Sequence, residues 1–292
     1  MPQQQTLTLA PAPGGPPDLT SGSIFFIGTA TVLLRFAGFT ILTDPNFLHS
    51  GEKVRLGYGL RSTRRTNPAM EIEDLPPLDL VVLSHMHEDH FDRVAEQKLD
   101  KRTRIVSTPH AAAALQNAGF TAVQSIEKWE SLLVTKGDAQ LRVTAMPGEH
   151  GPGFMSQALP PVMGSMLEFS TTGGDNLFRM YITGDTLIHE ALREIPRRYP
   201  DIDLALLHLG GTRVAGILLT MDGKQGVQML KIVRPQLAIP IHFNDYTVFK
   251  SPLRDFAREV KAAGLERQVR YIRHGDTYRF DVPGAGVSAS GG

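Results

Sequence analysis

The 292-residue sequence contains no cysteine. This absence excludes disulfide bonds, thiolate metal ligands and a cysteine nucleophile, so histidine and carboxylate side chains are the donors left for any metal site. An excess of one charge is also missing, because 30 Lys and Arg balance 30 Asp and Glu and the pI is about 7.2. Without a basic excess there is no electrostatic basis for coating DNA or RNA. We therefore expect no nucleic-acid partner.

Long apolar runs are absent as well. No stretch reaches the roughly 18 apolar residues that a membrane-spanning helix needs. The start of the chain, rich in Pro, Gly and Gln, lacks the basic and apolar regions of a secretory signal. We expect a cytoplasmic protein with flexible tails at residues 1–21 and 283–292, flanking a single folded domain over 22–282. The composition is compatible with a homo-oligomer and does not identify one.

Strand-like and helix-like segments alternate within this domain. The segments "SIFFIG", "TVLLRFAG" and "FTILTDP" predict strands bounded by glycine and turn residues, and "LDLVVLSH" has the continuous apolar character of a strand buried on both faces. The segments "PHAAAALQNAG" and "PLRDFAREVKAAG" predict helices. This pattern predicts an α/β protein with a mixed sheet, or two sheets, covered by helices.

The segment "VVLSHMHEDHF", residues 81–91, contains three of the ten histidines. In an extended chain His85 and His87 point to the same side, and Asp89 and His90 follow where the chain turns. An HxHxDH arrangement arises by chance about once in a thousand such chains. The alternative is a histidine-rich solvated loop, which would not explain why the cluster follows a core strand. We predict a metal site.

Further donors stand at the ends of other predicted strands. His150 follows "LRVTAMPGE", Asp185 ends "MYITGD", and His242 lies in "LAIPIHF". Imidazole nitrogens and carboxylate oxygens suit Zn²⁺ well, and Mn²⁺ or Fe²⁺ acceptably. The predicted site is therefore assembled from segments far apart in the sequence.

These residues resemble, in the same order along the chain, the ligand pattern of the metallo-β-lactamase superfamily of metallohydrolases. The pattern consists of Asp44, His85, His87, Asp89, His90, His150, Asp185 and His242. The resemblance implies an α/β fold of the metallo-β-lactamase type, a four-layer αββα sandwich with two Zn²⁺ ions at one edge of its two sheets.

The resemblance also implies how the ligands are shared. One ion would be bound by three histidines: His85, His87 and His150. The other would be bound by Asp89, His90 and His242, with Asp185 bridging the two ions. Asp44 would brace the histidine loop without touching metal.

A dinuclear site of this kind implies hydrolysis by a metal-bridging hydroxide, which Asp89 would orient and whose proton it would carry to the leaving group. His87 occupies the position at which the flavodiiron branch of the superfamily has glutamate, which weakens an oxidoreductase role. Two alternatives stay open. A mononuclear iron dioxygenase would use a subset of these ligands. A binding module without turnover would use the metal only to hold its two halves together.

The substrate class rests on a branch-level resemblance. The segments "GTATVLLRFAGFTILTDPNF", "RSTRRTNP" and the late "PIHF" resemble the branch that includes ascorbate-6-phosphate lactonase and the phospholipase D that cleaves N-acylphosphatidylethanolamine. This implies a small-molecule or lipid-like substrate: a phosphodiester, or a phosphorylated ester or lactone. Arg61, Arg64 and Arg65 in the insert 46–77 are candidate phosphate-binding residues. A solvated basic loop or an oligomer contact explains the insert equally well.

Two further candidates lie near residue 210. Arg213 belongs to the loop 210–222, whose apolar "GILL" segment is either a contact for an acyl chain or part of the packed interior. His208 ends the strand "DLALLH" and is either an acid for the leaving group or a structural histidine. The remaining histidines are interpreted as surface or local capping residues: His49, His110, His189 and His274.

Overall fold

The structure is a computed structural model, and it describes residues 4–11, 15–56, 61–153, 156, 159–174 and 176–282. These residues form the strands β1 Gln4–Leu9, β2 Ser21–Gly28, β3 Thr31–Phe36, β4 Phe39–Thr43, β5 Lys53–Arg55, β6 Arg61–Thr63, β7 Leu80–Val82, β8 Ile105–Ser107, β9 Val123–Ser125, β10 Ser131–Lys136, β11 Ala139–Pro147, β12 Met163–Thr171, β13 Asn176–Ile182, β14 Leu204–His208, β15 Gly210–Val214, β16 Ile217–Leu218, β17 Leu237–Ile241, β18 Phe249–Ser251 and β19 Thr277–Asp281. The helices are α1 Arg93–Lys98, α2 Pro109–Asn117, α3 Glu194–Arg198, α4 Gly223–Val233 and α5 Leu253–Ala262. Short 3-10 helices span Ile72–Asp74, Glu190–Arg193 and Glu266–Gln268.

Two seven-stranded sheets form the centre of the molecule. Their strand orders are β1-β10-β11-β12-β13-β14-β17 and β19-β2-β3-β4-β7-β8-β9. Successive residues of a strand point to opposite faces, so Leu167 and Leu34 enter the core between the sheets while their neighbours Met166 and Leu33 face outward. Both faces of each sheet are therefore apolar and need cover.

Helices cover the two outer faces. On the first sheet, α4 and α5 bury residues such as Val227 and Phe256, and on the second sheet α1 and α2 bury Ala95 and Leu115. The layers are helix, sheet, sheet and helix, which confirms the predicted αββα sandwich. The two helices predicted from the sequence segments above are confirmed as α2 and α5. In the part of the chain that the structure describes, every helix is too short or too polar to cross a bilayer.

The structure differs from the predicted N-terminal tail at residues 4–9. These residues form β1, which pairs in parallel with β10 at the edge of the first sheet. The alternating "TLTL" places Leu7 against the core and buries Leu9, so apolar burial outweighs the flexibility that the nearby Pro and Gly residues suggested. The predicted tail at 283–292 lies outside the described residues.

Replacing Phe169 by alanine should lower the free energy of unfolding by about 3–5 kcal/mol. Phe169 is fully buried between the sheets, with its ring centroid 5.1 Å from that of Phe36 across the interface and 6.4 Å from that of Phe178. Denaturant unfolding measures the change. Ile217→Ala is the control, because this side chain is exposed and surface changes stay within about 0.5 kcal/mol. Equal effects in the two variants would contradict the role of this aromatic cluster.

Candidate metal centre

The polar residues singled out by sequence follow the carboxyl ends of strands that run in the same direction. The positions are the ends of β4 (Asp44), β7 (His85, His87, Asp89, His90), β11 (His150), β13 (Asp185), β14 (His208) and β17 (His242). β4 and β7 are parallel, as are β13, β14 and β17, so these ends meet at one edge of the sandwich. Loops at the carboxyl ends of parallel strands commonly carry functional groups.

Among the described residues three groups of buried donors meet at this edge, and the third, Asp44, His90 and His208, shares His90 with the second. The first is a three-histidine group: His85, His87 and His150. The second is a four-residue group: Asp89, His90, Asp185 and His242. Within each group one donor atom per residue lies within 4.8 Å of the others. The structure thus brings together all seven residues that the sequence predicts as metal ligands.

Outer hydrogen bonds orient the histidine rings. The Nδ1 atoms of His150 and His242 lie 3.0 and 3.2 Å from the carbonyl oxygens of Leu219 and Leu209. His85 Nδ1 lies 3.0 Å from Ser84 Oγ. Such partners orient the rings and leave Nε2 of His150 and His242 free to bind a metal, whereas His85 Nε2 lies 3.0 Å from His87 Nδ1.

Buried atoms without hydrogen-bond partners test whether the site fits metal. Among the described residues these include Nε2 of His87, His90 and His242, and Oδ1 of Asp89 and Asp185. A buried polar atom left unsatisfied is costly, so such a concentration of them requires an explanation. A divalent ion, or a water molecule bound to it, would satisfy each of these atoms. The donor set therefore fits Zn²⁺, and equally Mn²⁺ or Fe²⁺.

The electrostatics of the two groups differ. Burial, together with the neighbouring imidazoles, holds the pKa of His85 well below its ordinary value, and burial lowers the pKa of His87 to about 4. Both rings are thus neutral, which is the form that binds metal. Burial would also lower the pKa of His90, but the carboxylates of Asp185, Asp44 and Asp89 raise it well above the ordinary value. The carboxylate side of the centre therefore attracts positive charge.

Asp44 lies behind the ligands. Its Oδ1 accepts the Ser84 N–H at 2.7 Å, and its Oδ2 lies 3.2 Å from His90 Nδ1. Burial would raise its pKa, but His90 and His208 outweigh burial and lower it to about 2. The ionised carboxylate holds the start of the histidine loop and the His90 ring. The proposed role of Asp44, to hold the histidine loop without binding metal, remains a prediction.

Strained backbone surrounds the centre. Asp44, Thr29 and His242 have φ angles of 35°, 51° and 58°, in a region that residues other than glycine rarely adopt. Each such residue costs about 1–3 kcal/mol and persists only where its surroundings hold it in place. The loops at this edge are therefore held by specific contacts.

His208 is fully buried and lies outside the accessible surface of the site. Its Nε2 lies 3.4 Å from Asp44 Oδ2, its Nδ1 lies 3.4 Å from Thr183 Oγ1, and its ring stacks on that of His90 at 5.8 Å. These partners occupy both ring nitrogens of His208. The geometry therefore favours a structural role for His208 over a role as proton donor to the leaving group.

The candidate arginines are placed differently from one another. Arg64 is 1% exposed, so it is not available on a surface loop as the sequence suggested. Arg61 and Arg65 are exposed beside it, and Arg213 is exposed on β15, 3.3 Å from Asp222. Within the insert, β5 and β6 pair as antiparallel strands. Of the four candidate arginines, only Arg64 is excluded from substrate binding, because it is buried.

A cleft of about 800 Å³ opens beside the three-histidine group. Its lining includes His150 with two further histidines, one lysine, one glutamate and several apolar residues, among them His110, His189, Lys128, Glu149, Leu159, Pro160, Pro161 and Val162. His110 and His189, interpreted from the sequence as surface or local capping residues, both line this cleft; His110 is exposed and His189 is half-buried. His110 follows the carboxyl end of β8. The candidate metal ligands were selected because they follow strand ends, and the same criterion would have selected His110.

The fold, with its cluster of candidate metal ligands at one edge of the two sheets, defines the class: a metallo-β-lactamase fold. A family model described as "Beta-lactamase superfamily domain" matches residues 40–243, and the chain belongs to this family. A UPF0173 metal-dependent hydrolase of Thermodesulfovibrio yellowstonii is 25% identical over 270 residues, which cover 86% of this chain and 96% of that protein.

Solved structures share the fold. The isothiocyanate hydrolase from Delia radicum gut bacteria superposes with a TM-score of 0.74 at 20% identity, covering 89% of this chain and all of that one. A metallo hydrolase from the archaeon Ignicoccus hospitalis gives a TM-score of 0.65 at 23% identity, covering 89% and 99%. The resemblance to the superfamily is therefore confirmed, while the lactonase and phospholipase D branch remains a prediction.

Proposed function

We propose that this protein is a dinuclear metal-dependent hydrolase, with Zn²⁺ as the first candidate ion. One observation carries the proposal: seven buried histidine and aspartate side chains converge in two groups, and five of them present a buried atom without a hydrogen-bond partner. The relative named a metal-dependent hydrolase supports it. The three-histidine group also borders a cleft large enough for a small-molecule substrate.

The bound ions would lower the pKa of a water molecule and polarise a carbonyl or phosphoryl oxygen of the substrate. Asp89 would accept the proton of the attacking water and transfer it. Its Oδ2 lies 3.5 Å from His242 Nε2, while its Oδ1 has no hydrogen-bond partner among the described residues. That oxygen can accept a hydrogen bond from the attacking water, orient it and later pass its proton to the leaving group. No serine or cysteine nucleophile is needed.

The cleft supports a substrate with little net charge. In its lining the positive charge of Lys128 balances the negative charge of Glu149. Pro160, Pro161 and Val162 supply apolar surface. A singly charged phosphodiester, or an ester or lactone, fits this balance better than a substrate with several negative charges, which would need more cationic partners. We propose this class, with Lys128 as the contact for its negative charge. Arg61, Arg65 and Arg213 remain candidates for a phosphate outside the cleft.

Metal analysis of the purified protein, combined with assays on bis(p-nitrophenyl) phosphate and a set of lactones, tests the proposal. We expect two zinc ions per chain and turnover of one substrate type. Protein stripped of metal should remain folded, lose turnover and regain it on zinc addition. One iron ion without hydrolysis would favour the dioxygenase alternative. Unfolding on stripping, with no turnover beforehand, would favour a metal-stabilised binding module.

Lys128→Met should raise the KM for bis(p-nitrophenyl) phosphate by about tenfold, the loss expected for one charge-assisted hydrogen bond. The KM for a neutral lactone should not change, because that substrate carries no charge for the lysine. Steady-state kinetics on both substrates measures the split. Lys261→Met, an exposed lysine in the last turn of α5, is the matched control. An equal rise for both substrates would reject Lys128 as a charge contact.

A further inference from the structure

Arg64 is a buried cation that the proposed chemistry does not use. It is the largest side chain among those fully buried in the described residues. Its Nε donates to the Thr66 carbonyl at 3.0 Å, and its Nη1 donates to the carbonyl and the side-chain oxygen of Asn46. Among the described residues no carboxylate lies within 4 Å to form an ion pair with it. Burying a charge is costly unless its partners are well placed, so this arginine calls for a specific role.

Asn46 connects Arg64 to the loops of the metal centre. Its side-chain oxygen accepts hydrogen bonds from Arg64, from Thr29 Oγ1 at 3.2 Å and from the Tyr246 hydroxyl at 3.0 Å. Its Nδ2 donates to the carbonyl of Glu88 at 2.9 Å and to Asp92 Oδ2 at 3.2 Å. The amide is thus fully used, and Arg64 fixes the orientation of its oxygen.

Each end of this network lies next to a ligand of the four-residue group. Glu88 directly precedes Asp89 in the turn that carries Asp89 and His90. On the other side, the Thr29 carbonyl accepts the His242 N–H at 2.6 Å. The guanidinium also lies 5.6 Å from the ring centroid of Tyr246, in the loop that follows His242. The side-chain contacts therefore link the Asp89–His90 turn to the loop after His242, which an isolated antiparallel bridge between Arg64 and Tyr246 also joins to the insert.

The three-histidine group depends less on these contacts. His85 and His87 lie three and five residues beyond the end of β7, which is paired on both sides with β4 and β8, and they precede Glu88, the residue that Asn46 contacts. His150 is held by the carbonyl of Leu219. Among the described residues, no hydrogen bond of Arg64 or Asn46 reaches the side chains of these three histidines.

We propose that Arg64 is a positioning residue: through Asn46 it sets the separation between the Asp89–His90 turn and the His242 loop, so that the four-residue group can bind one metal ion. The inference rests on the ion binding in the proposed function. It does not depend on turnover, because its effect is on the affinity for metal.

Cobalt titration tests this proposal, since Co²⁺ bound to histidine and carboxylate has a visible absorption spectrum. In a His87→Ala background the three-histidine group is weakened, so the titration measures Co²⁺ binding to the four-residue group. In a His242→Ala background the four-residue group is weakened, so the titration measures Co²⁺ binding to the three-histidine group. Arg64→Met should weaken Co²⁺ binding to the four-residue group by about tenfold to a hundredfold, as loss of an outer partner does. Binding to the three-histidine group should stay within about twofold. Arg64→Lys should recover only part of the loss, because one ammonium cannot replace the guanidinium fork.

Arg179→Met is the control for the loss of a largely buried guanidinium, since Arg179 pairs with Glu168 in the first sheet. It should leave both affinities unchanged. If Arg64→Met does not fold, Tyr246→Phe removes one hydrogen bond to Asn46 and should show the same selective loss of Co²⁺ affinity, with a smaller magnitude.

Equal weakening of Co²⁺ binding to both groups, or no weakening in folded variants, would overturn the proposal. Metal binding without turnover in the unaltered protein would reject only the hydrolase assignment, and absence of metal binding would reject both.

Discussion

Asp89→Asn is expected to lower kcat by about two to four orders of magnitude, the range in which a general acid or base contributes. The substitution keeps the shape of the side chain but removes its negative charge and its capacity to accept a proton. His90, Asp185 and His242 still surround the ion position, so most of the bound metal should remain. The fall in kcat and in kcat/KM should be similar, because the lost contact acts on the transition state.

Metal content and steady-state kinetics on the same sample measure this effect. Asp203→Asn provides a control, because Asp203 is a half-buried aspartate that accepts the Arg179 N–H, away from the candidate ligands. We expect its kcat to stay within about twofold. Unchanged turnover in Asp89→Asn would exclude the proposed proton role. Complete loss of one ion would instead assign Asp89 as a ligand whose charge is indispensable.

His87→Ala is expected to remove one ion of two and to reduce kcat by more than the tenfold to hundredfold that loss of an outer partner costs. His87 is 8% exposed, and its Nε2 is one of the buried atoms without a hydrogen-bond partner. The variant should remain folded, because the ring lies in the loop after β7 and contributes little to the core between the sheets. Removing a ligand should therefore separate metal binding from folding.

Elemental analysis, kinetics and denaturant unfolding of this variant provide the three readouts. His49→Ala is the matched control: His49 is exposed, and its ring nitrogen pairs with Glu71 at 3.0 Å, outside the two ligand groups. It should keep the metal content and activity of the unaltered protein. Two retained ions in His87→Ala would remove His87 from the ligand set, and an unfolded variant would support the binding-module alternative.

The candidate ligands could be predicted because their signal is local. His85 and His87 alternate directly after a buried strand, and His150, Asp185 and His242 each stand at a strand end. Strand direction places such ends at one edge, so sequence order together with strand prediction was enough to collect them. The helix α2 was equally predictable, because Thr108 accepts the Ala111 N–H at its start and Pro109 opens its first turn.

Arg64, His208 and the N-terminal strand could not be placed in this way. A guanidinium in a basic insert resembles a surface residue, and its burial depends on Asn46, which also binds a tyrosine 200 residues away. His208 ends a strand as the ligands do, yet its neighbours Asp44 and Thr183 occupy its nitrogens. β1 is stabilised by pairing with β10, more than a hundred residues along the chain.

The sequence by itself determined the class of fold and the identity of the candidate ligands, since periodicity, strand length and donor type are properties of short segments. Only the tertiary structure decided which polar residues face the metal centre, which are buried behind it, and where the cleft opens. The physical reason is that burial and hydrogen bonding depend on partners from distant segments, and a local pattern contains no information about those partners.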